Sequence, residues 1–212
     1  MGEANDSKSL TVVAVPFAGG DRYSYRALQS ASPDSWIWTV LDLPGRGPRR
    51  REPRLREIGA MVDSLYSDFI AAAPQVPYLL MGHSMGAGLA YELLQKICDA
   101  DHTLPEAVYF SGIAAPGVPR TRYISHLPKP EFWEVMRSYK GVPEGIIGNA
   151  DLRDYFEPVL RDDFAAVERY APLSGNVVAR DVKICVRCGE DDAISDEDLA
   201  AWADVSLRPK DI

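Results

Sequence analysis

Residues 77–88, Pro-Tyr-Leu-Leu-Met-Gly-His-Ser-Met-Gly-Ala-Gly, carry an apolar run into a turn that holds Ser84 between two glycines. A Gly-x-Ser-x-Gly turn between a strand and a helix is a nucleophile elbow, which exposes the serine hydroxyl. Both flanking positions need glycine because the strand and the helix approach closely there. The apolar run predicts a buried strand, and residues 87–95 have helical spacing. We therefore expect Ser84 to be a nucleophile in an α/β domain; the alternative is an ordinary strand-to-helix turn with an inert serine.

A second predicted strand, residues 182–188, leads into two adjacent carboxylates, Asp191 and Asp192. Its β-branched residues favour a strand, and parallel α/β sheets assemble their sites at the carboxyl ends of strands. In this architecture the acid of a catalytic triad follows the serine in chain order. We expect Asp192 to be that acid, with Asp191 as the alternate. These acids could instead cap a helix predicted over residues 197–203.

The general base is the difficult member of the triad, because no histidine follows Asp192 in this sequence. The three histidines are His83, His102 and His126. Each is expected to be a structural or surface residue, since the base follows the acid in chain order. Residues 205–212 look like the approach to another strand. We therefore expect the last strand and helix of the domain, and the triad histidine, to lie beyond residue 212.

The first predicted strand, residues 10–15, is followed by Pro16-Phe-Ala-Gly-Gly20, a turn able to aim backbone N–H groups inward. Such amides stabilise a tetrahedral oxyanion, and removing one donor typically costs about 3 kcal/mol of barrier. The turn is not a phosphate loop, because no Gly-Lys-Ser/Thr sequence follows it. A glycine-rich loop without a chemical role is the alternative.

Several motifs in order make the sequence resemble the type II thioesterases, the free-standing α/β-hydrolases that accompany polyketide and nonribosomal peptide synthetases. These motifs are Val15-Pro-Phe-Ala-Gly-Gly20, Leu43-Pro-Gly-Arg-Gly47, Gly82-His-Ser-Met-Gly86, His126-Leu-Pro128 and Gly189-Glu-Asp-Asp192. The resemblance spans nearly the whole sequence. It implies one α/β-hydrolase domain over residues 1–212, with a mostly parallel central sheet, flanking helices and a helical lid insertion.

The resemblance also implies roles for individual residues. Ser84 would be the nucleophile and Asp192 the acid that orients a histidine. The amides of Ala18 and Met85 would bind the oxyanion, with Phe17 competing for the first position. Family members often have proline after the acid, where this sequence has an alanine, so the choice between the two adjacent aspartates stays open.

Residues 115–173 interrupt the alternation of strands and helices and are expected to form the lid. Apolar residues recur at helical spacing in residues 131–139 and 152–170. The candidates for contact with the substrate are Phe17, His83, Phe132, Trp133, Met136 and Phe156, and Leu160 and Phe164 extend the same apolar surface. An apolar stripe of this kind is more often the core face of a helix. A lid packed loosely enough to open would suit a tethered substrate.

A net charge of −8 argues against a nucleic-acid partner, yet arginines crowd one short segment. They are Arg46, Arg49, Arg50, Arg51, Arg54 and Arg56. Carrier proteins of synthetases are generally acidic, so this cluster could steer them to the enzyme. The alternative is a solvated loop whose arginines pair with Asp42, Glu52 and Glu57, each pair contributing about 0–1 kcal/mol.

The sequence has no signal-peptide core and no run near the roughly 20 apolar residues of a membrane span. We expect a cytoplasmic monomer without a membrane partner. Three cysteines cannot build a disulfide framework, and the pair at 185 and 188 lacks a second ligand pair for zinc.

By resemblance, the expected activity is the removal of aberrant or stalled acyl groups from the phosphopantetheine arm of carrier proteins, through an acyl-serine intermediate and without a cofactor. The nearest alternative is a medium-chain acyl-carrier-protein thioesterase of fatty acid synthesis; a small-ester hydrolase is further away. A non-catalytic protein that binds acyl-carrier proteins is the alternative of another class.

Overall fold

The computed structural model describes residues 9–73, 77–120, 122–139, 141–172, 182–190, 192 and 194–205. Its centre is a five-stranded sheet in the order β2-β1-β3-β4-β5. The strands are β1 (Leu10–Val15), β2 (Trp36–Val40), β3 (Tyr78–His83), β4 (Ala107–Ser111) and β5 (Lys183–Arg187). Every pairing among these strands is parallel, which confirms the predicted α/β class.

The strand order places a topological switch point between β1 and β3. The chain runs from β1 outward to β2 on one side, and returns to β3 on the other. Ligands of open α/β sheets bind at such points, outside the carboxyl ends of the strands. The end of β1, Val15, pairs with Gly82 of β3, so the turn after β1 and the serine elbow leave the sheet side by side.

Two long helices cover much of the sheet. They are α2 (Ile58–Ala72) and α3 (Met85–Asp99), and shorter helices are α1 (Arg26–Ala31), α7 (Asp196–Ala200) and α8 (Trp202–Val205). Helix α3 is buried on nearly every side, and its first turns hold small residues that let it lie close to the strands. Trp202 of α8 is buried and stacks on Phe110 of β4, with ring centroids 4.8 Å apart. This packing builds the main hydrophobic core on the sheet.

The described residues between β4 and β5, hereafter the insertion, hold three helices. They are α4 (Lys129–Ser138), α5 (Glu144–Ile147) and α6 (Ala150–Glu168). Their apolar side chains form a second cluster around Phe132, Met136 and Leu160, separate from the main core. Asn149 caps α6 by accepting hydrogen bonds from the amides of Asp151 and Leu152.

Among the described residues, no helix combines the length and the apolar character that crossing a bilayer requires.

Candidate active site

Ser84 occupies the strained turn that its sequence motif predicts. Its backbone has φ 52° and ψ −122°, a conformation that costs a non-glycine residue on the order of 1–3 kcal/mol and concentrates at functional sites. A Cβ at Gly82 would overlap the Gly86 carbonyl oxygen, and a Cβ at Gly86 would overlap the Val15 carbonyl oxygen. Strand and helix therefore meet at the distance that only glycine permits. The Ser84 amide donates to the Ser111 carbonyl at 2.8 Å, which fixes the turn to β4.

Unused backbone donors surround this turn. Met85 is the first residue of α3, where an N–H group has no partner inside the helix. Within the described residues, the amides of Met85, Ala18 and Phe17 donate to no recorded acceptor. Ala18 and Phe17 thus stay open as alternatives for the first oxyanion donor. Amide N–H groups of the β1 turn and of α3 are therefore both available to a developing oxyanion.

A buried carboxylate from the insertion holds the turn after β1, residues 16–20, hereafter the β1 turn. The Gly19 amide donates to Asp163 Oδ2 at 2.7 Å. Arg46 donates to the same carboxylate through two nitrogens, Nη1 at 2.5 Å to Oδ2 and Nη2 at 2.7 Å to Oδ1. No local motif marks Asp163, and Arg46 belongs to the arginine segment that was expected at the surface. The available signal was a charged residue on the apolar face of α6, which needs a buried partner.

Asp192 lies just beyond the end of β5, exposed at the rim of the site. Its Oδ2 accepts hydrogen bonds from the Gly189 amide at 2.9 Å and from the Cys188 thiol at 3.2 Å. These two bonds, in that order, lower the pKa of Asp192, and the nearby His83 lowers it further. Burial first, and then the Asp192 carboxylate, raise the pKa of the Cys188 thiol to about 11.

The structure separates the acid from the helix-capping role considered for it. Ser195 and Asp198 form a reciprocal capping box at the start of α7, so Asp192 does not cap that helix. The single helix predicted over residues 197–203 is instead two short helices, α7 and α8. Asp191, the alternate acid, lies outside the described residues.

The carboxyl ends of β3, β4 and β5 lie in line, with the elbow and the acid two strands apart. Residues 83, 111 and 187 occupy equivalent positions across these strands. Two interstrand spacings of about 4.8 Å separate the ends of β3 and β5 by roughly 10 Å. Between them, His83 Nδ1 lies 3.1 Å from Ser111 Oγ, and its ring covers Gly112, where a Cβ would come within 2.6 Å of Cε1. The serine elbow and the acid therefore leave the same edge of the sheet, with the end of β4 between them.

The other two histidines have different surroundings. His102 Nε2 lies 2.8 Å from the Tyr66 hydroxyl, at the amino-terminal edge of the sheet and opposite the elbow. His126 is exposed in the turn before α4. Neither histidine forms a hydrogen bond with Ser84 in the described part of the chain.

A small apolar cavity of about 70 Å³ adjoins the β1 turn. It is lined by Phe17, Ala18, Gly19, Gly141, Val142, Pro143, Ile146, Phe156 and Leu160. Two of the predicted substrate contacts, Phe17 and Phe156, therefore face this cavity. Phe132, Trp133 and Met136 do not line it; they are buried in the insertion's cluster, to which the lining residues Phe156 and Leu160 also belong. His83 is exposed and meets the Phe17 ring edge-on, with centroids 5.9 Å apart.

The arginine segment between β2 and α2 is largely paired. Arg49 binds Glu52 and Asp68, and both Arg54 and Arg56 bind Asp162 of α6. The other two acids considered as partners are taken by arginines outside the cluster: Asp42 binds Arg22, and Glu57 binds Arg169. Arg50 and Arg51 are exposed, with no ion pair recorded to a described residue.

The described residues contain no group of three or more His, Cys, Asp or Glu side chains that could hold a metal ion. None of the three cysteines, all of which lie in the described part of the chain, forms a disulfide. Cys185 is buried in β5, and Cys188 binds the Asp192 carboxylate. The spacing of this pair thus reflects one core residue and one residue at the site.

Comparison with known proteins gives consistent matches. The family described as Thioesterase domain matches residues 10–211. Gramicidin S biosynthesis protein GrsT of Aneurinibacillus migulanus is 27% identical over 210 residues, which cover 96% of this chain and 79% of that protein. Four further curated relatives are matched over 56–63% of their own length.

Solved structures agree with these sequence matches. RedJ, a thioesterase from the prodiginine pathway of Streptomyces coelicolor, aligns with a TM-score of 0.85 at 28% identity, over 95% of this chain and 75% of that one. YbtT, a type II thioesterase from the yersiniabactin NRPS/PKS pathway, aligns with a TM-score of 0.83 at 28% identity, over 97% and 85%.

Proposed function

Since the chain belongs to the thioesterase domain family, we propose that it is a type II thioesterase that hydrolyses aberrant or stalled acyl groups from carrier proteins of polyketide or nonribosomal peptide synthetases. GrsT and YbtT, which serve such pathways by name, support this role. The observation that carries the proposal is the strained Ser84 elbow, set beside backbone amides that donate to no acceptor among the described residues. A serine hydrolase needs both features in one place.

The proposed reaction is acyl transfer in two steps. Ser84 Oγ attacks the thioester carbonyl as a base takes its proton, and the amides of Ala18 and Met85 stabilise the tetrahedral oxyanion. The C–S bond breaks, the phosphopantetheine thiol leaves with a proton, and an acyl-serine remains. Water, deprotonated by the same base, then attacks the acyl-serine and releases a carboxylic acid. No cofactor takes part in these steps.

Asp192 is proposed to orient the histidine base. Its Oδ2 is taken by Gly189 and Cys188, while Oδ1 accepts no recorded hydrogen bond from the described residues. The lowered pKa keeps this carboxylate ionised, which suits the stabilisation of an imidazolium. As the family resemblance implies, the histidine is proposed to follow Asp192 in chain order.

The cavity beside the β1 turn is proposed to hold the acyl group. Its walls are apolar, and it begins at Ala18, one of the proposed oxyanion donors. Apolar walls beside an oxyanion donor suit the hydrocarbon part of a thioester. The pathway relatives GrsT and YbtT favour editing over the medium-chain activity of fatty acid synthesis.

The proposed partner is an acidic carrier protein met in the cytoplasm by a monomeric enzyme, with no membrane or nucleic acid involved. Arg50 and Arg51 of the arginine segment are exposed, and neither forms an ion pair with a described residue. They could attract an acidic surface without raising the total charge of −8.

Mass spectrometry of acyl-loaded carrier protein, incubated with the native full-length product, tests the proposal. We expect loss of the acyl mass from the carrier, and no loss with Ser84→Ala. Transient accumulation of an acylated enzyme would support the covalent intermediate. Stable binding of the carrier without any Ser84-dependent release would instead show a non-catalytic binding protein.

A further inference from the structure

We propose that Asp163 is a positioning residue for the oxyanion donors: from helix α6 it holds the β1 turn in its reactive geometry. The site can therefore stabilise the oxyanion only while α6 is packed on the β1 turn. This inference rests on the proposed thioesterase function, and it concerns a residue on the insertion, far in sequence from both the serine and the acid.

The contacts of Asp163 are unusual for an acidic side chain. The residue is fully buried, and Arg46 is 6% exposed. The carboxylate accepts three hydrogen bonds, two from the Arg46 guanidinium and one from the Gly19 amide. Charge-assisted bidentate bonds of this kind fix both partners in one geometry. The Gly19 peptide plane is therefore tied to α6.

The β1 turn is pressed against α6 at a second point. Gly19 has φ 75°, and a Cβ there would lie 2.6 Å from Leu160 Cδ2, one helical turn before Asp163. On the other side, the Gly20 amide closes the turn by donating to the Phe17 carbonyl at 2.8 Å. Ala18 lies between these two anchors. The direction of its N–H group is thus set by the Phe17 carbonyl and by Asp163.

Stability alone does not explain this pair. Burying an ion pair costs a large desolvation penalty, and well-packed apolar residues often stabilise a fold as well or better. Helix α6 already has surface attachments to the same region, through Asp162 to Arg54 and Arg56, and through Arg169 to Glu57. Among the described residues, Asp163 is the α6 carboxylate that reaches the β1 turn.

Helix α6 also holds the turn that opens the insertion. Glu168 accepts hydrogen bonds from the amides of Ile124 and Ser125, and Arg161 donates to the carbonyls of Ser125 and Leu127. A displacement of α6 that widened the cavity would move these groups with it. The same displacement would break the Asp163–Gly19 bond, so the oxyanion donors would lose their alignment while the site is open.

The test compares neighbouring carboxylates of α6 in the full-length protein. Asp163→Asn presents an NH₂ group to donors that need an acceptor, whereas Asp162→Asn loses surface ion pairs and leaves the β1 turn untouched. With an acyl-N-acetylcysteamine thioester, and with active Ser84 counted by titration, we expect Asp163→Asn to lower kcat at least tenfold. KM should change less than twofold. Asp162→Asn should stay within twofold of the wild type in both constants.

A transition-state analogue gives the second readout. A trifluoromethyl ketone forms a tetrahedral adduct with Ser84, so its Ki should rise in Asp163→Asn by the factor that kcat/KM falls. Equal losses in the Asp162 and Asp163 variants would overturn the proposal, as would an unchanged Ki.

The double variant Arg46→Met/Asp163→Leu covers the case in which Asp163→Asn does not fold, since it leaves no buried charge unpaired. We expect it to fold, to stay at least tenfold slow, and to exchange the amides of residues 17–20 faster in hydrogen–deuterium exchange. Wild-type turnover in this variant would show that the pair is only structural. If the wild type itself hydrolyses no thioester, the proposed function fails, and the amide exchange of residues 17–20 still tells whether Asp163 holds the turn.

Discussion

Gly82 and Gly88 lie on opposite sides of the nucleophile in sequence, and they tolerate a side chain very differently. A Cβ at Gly82 would overlap the backbone of Gly86, whereas at Gly88 it would lie 3.4 Å from Ile113 Cδ1, an ordinary contact. Gly88 is in the interior of α3, where alanine favours the helix by up to about 1 kcal/mol. We expect Gly88→Ala to raise the free energy of unfolding by about 0.5–1 kcal/mol. Gly82→Ala should lower it sharply or prevent folding.

Urea denaturation of the two variants is the measurement. Both changes add one methyl group, so they differ only in what surrounds it. If Gly82→Ala were as stable as the wild type, the close approach of β3 and α3 at the elbow would be refuted.

Cys188 reports on the charge of Asp192. With a thiol pKa of about 11, the reactive thiolate is roughly 0.1% of the population at pH 8. Alkylation by iodoacetamide should therefore be slow at pH 8 and accelerate as the pH rises toward 11. Asp192→Asn removes the negative charge that helps to raise this pKa, so the variant should react faster at pH 8. The bond from the neutral thiol stabilises the fold below the unfolded pKa near 9.0, and this contribution is lost as the pH rises through about 11.

Peptide mapping by mass spectrometry assigns the alkylated cysteine, and Cys188→Ser removes the signal. An unchanged rate in Asp192→Asn would mean that the carboxylate does not accept from this thiol in solution.

Residue-level prediction succeeded where a local motif forces one backbone geometry. The two glycines around Ser84 predict a strained turn, and the structure has it at that residue. Asp163 escaped prediction because its partners are distant: Arg46 lies 117 residues away in sequence and Gly19 lies 144 away. A single sequence gives no sign of which arginine among six turns inward.

At the scale of elements, Glu168 is expected to clamp the entrance of the insertion. It accepts from the amides of Ile124 and Ser125 and from the Ser125 hydroxyl. Glu168→Ala leaves three donors without their acceptor, so the turn before α4 should open locally. We expect faster cleavage by a low dose of trypsin after Arg122, with little change in the global unfolding midpoint.

Glu134→Ala is the matched control for this clamp, since Glu134 is exposed on α4 and pairs only with Arg137 among the recorded ion pairs. Its cleavage rate should equal that of the wild type. Equal protection in both variants would contradict the clamp.

Strands and long helices were predictable because burial imposes period and length on them, and β1 has the predicted bounds, Leu10–Val15. Helix α6 tests such prediction at a proline. Residues 152–170 have helical spacing, and the helix runs from Ala150 to Glu168 through Pro158, although proline normally breaks a helix interior. Both Pro158 and Asp154, whose carbonyl loses its donor, are exposed. Water can therefore satisfy that carbonyl.

For the whole molecule, charge should govern the encounter with the carrier protein. We expect Arg50→Glu/Arg51→Glu to raise KM for acyl-carrier protein several-fold at low salt, because both arginines are exposed and would attract an acidic surface. The effect should shrink at high salt, where such attraction is screened. Hydrolysis of an acyl-N-acetylcysteamine thioester should not change.

Arg26→Glu, an exposed arginine on α1, is the control for a nonspecific effect of charge. If it raised KM as much as the double variant, the arginine segment would have no special part in docking.

The class of the whole fold was predictable, since motifs in a fixed order imply strand order and the position of the nucleophile. The shape of the cavity was not. Phe132, Trp133 and Met136 share helical spacing and one apolar cluster with Phe156 and Leu160, yet only the latter two line the cavity. Only the packing of α4 against α6 decides which side of that apolar stripe faces the substrate.

The division of apolar residues into two clusters gives the molecule two natural fluorophores. Trp133 is buried in the insertion and donates to Glu157, whereas Trp202 is buried in the main core against Phe110. With Trp36 and Trp38 replaced by phenylalanine, the emission of Trp133 would report on the insertion and that of Trp202 on the main core. Red-shifted Trp133 emission with blue Trp202 emission would record an insertion that swings away from an intact sheet. Fluorescence would thus follow the movement of the insertion relative to the sheet during a catalytic cycle.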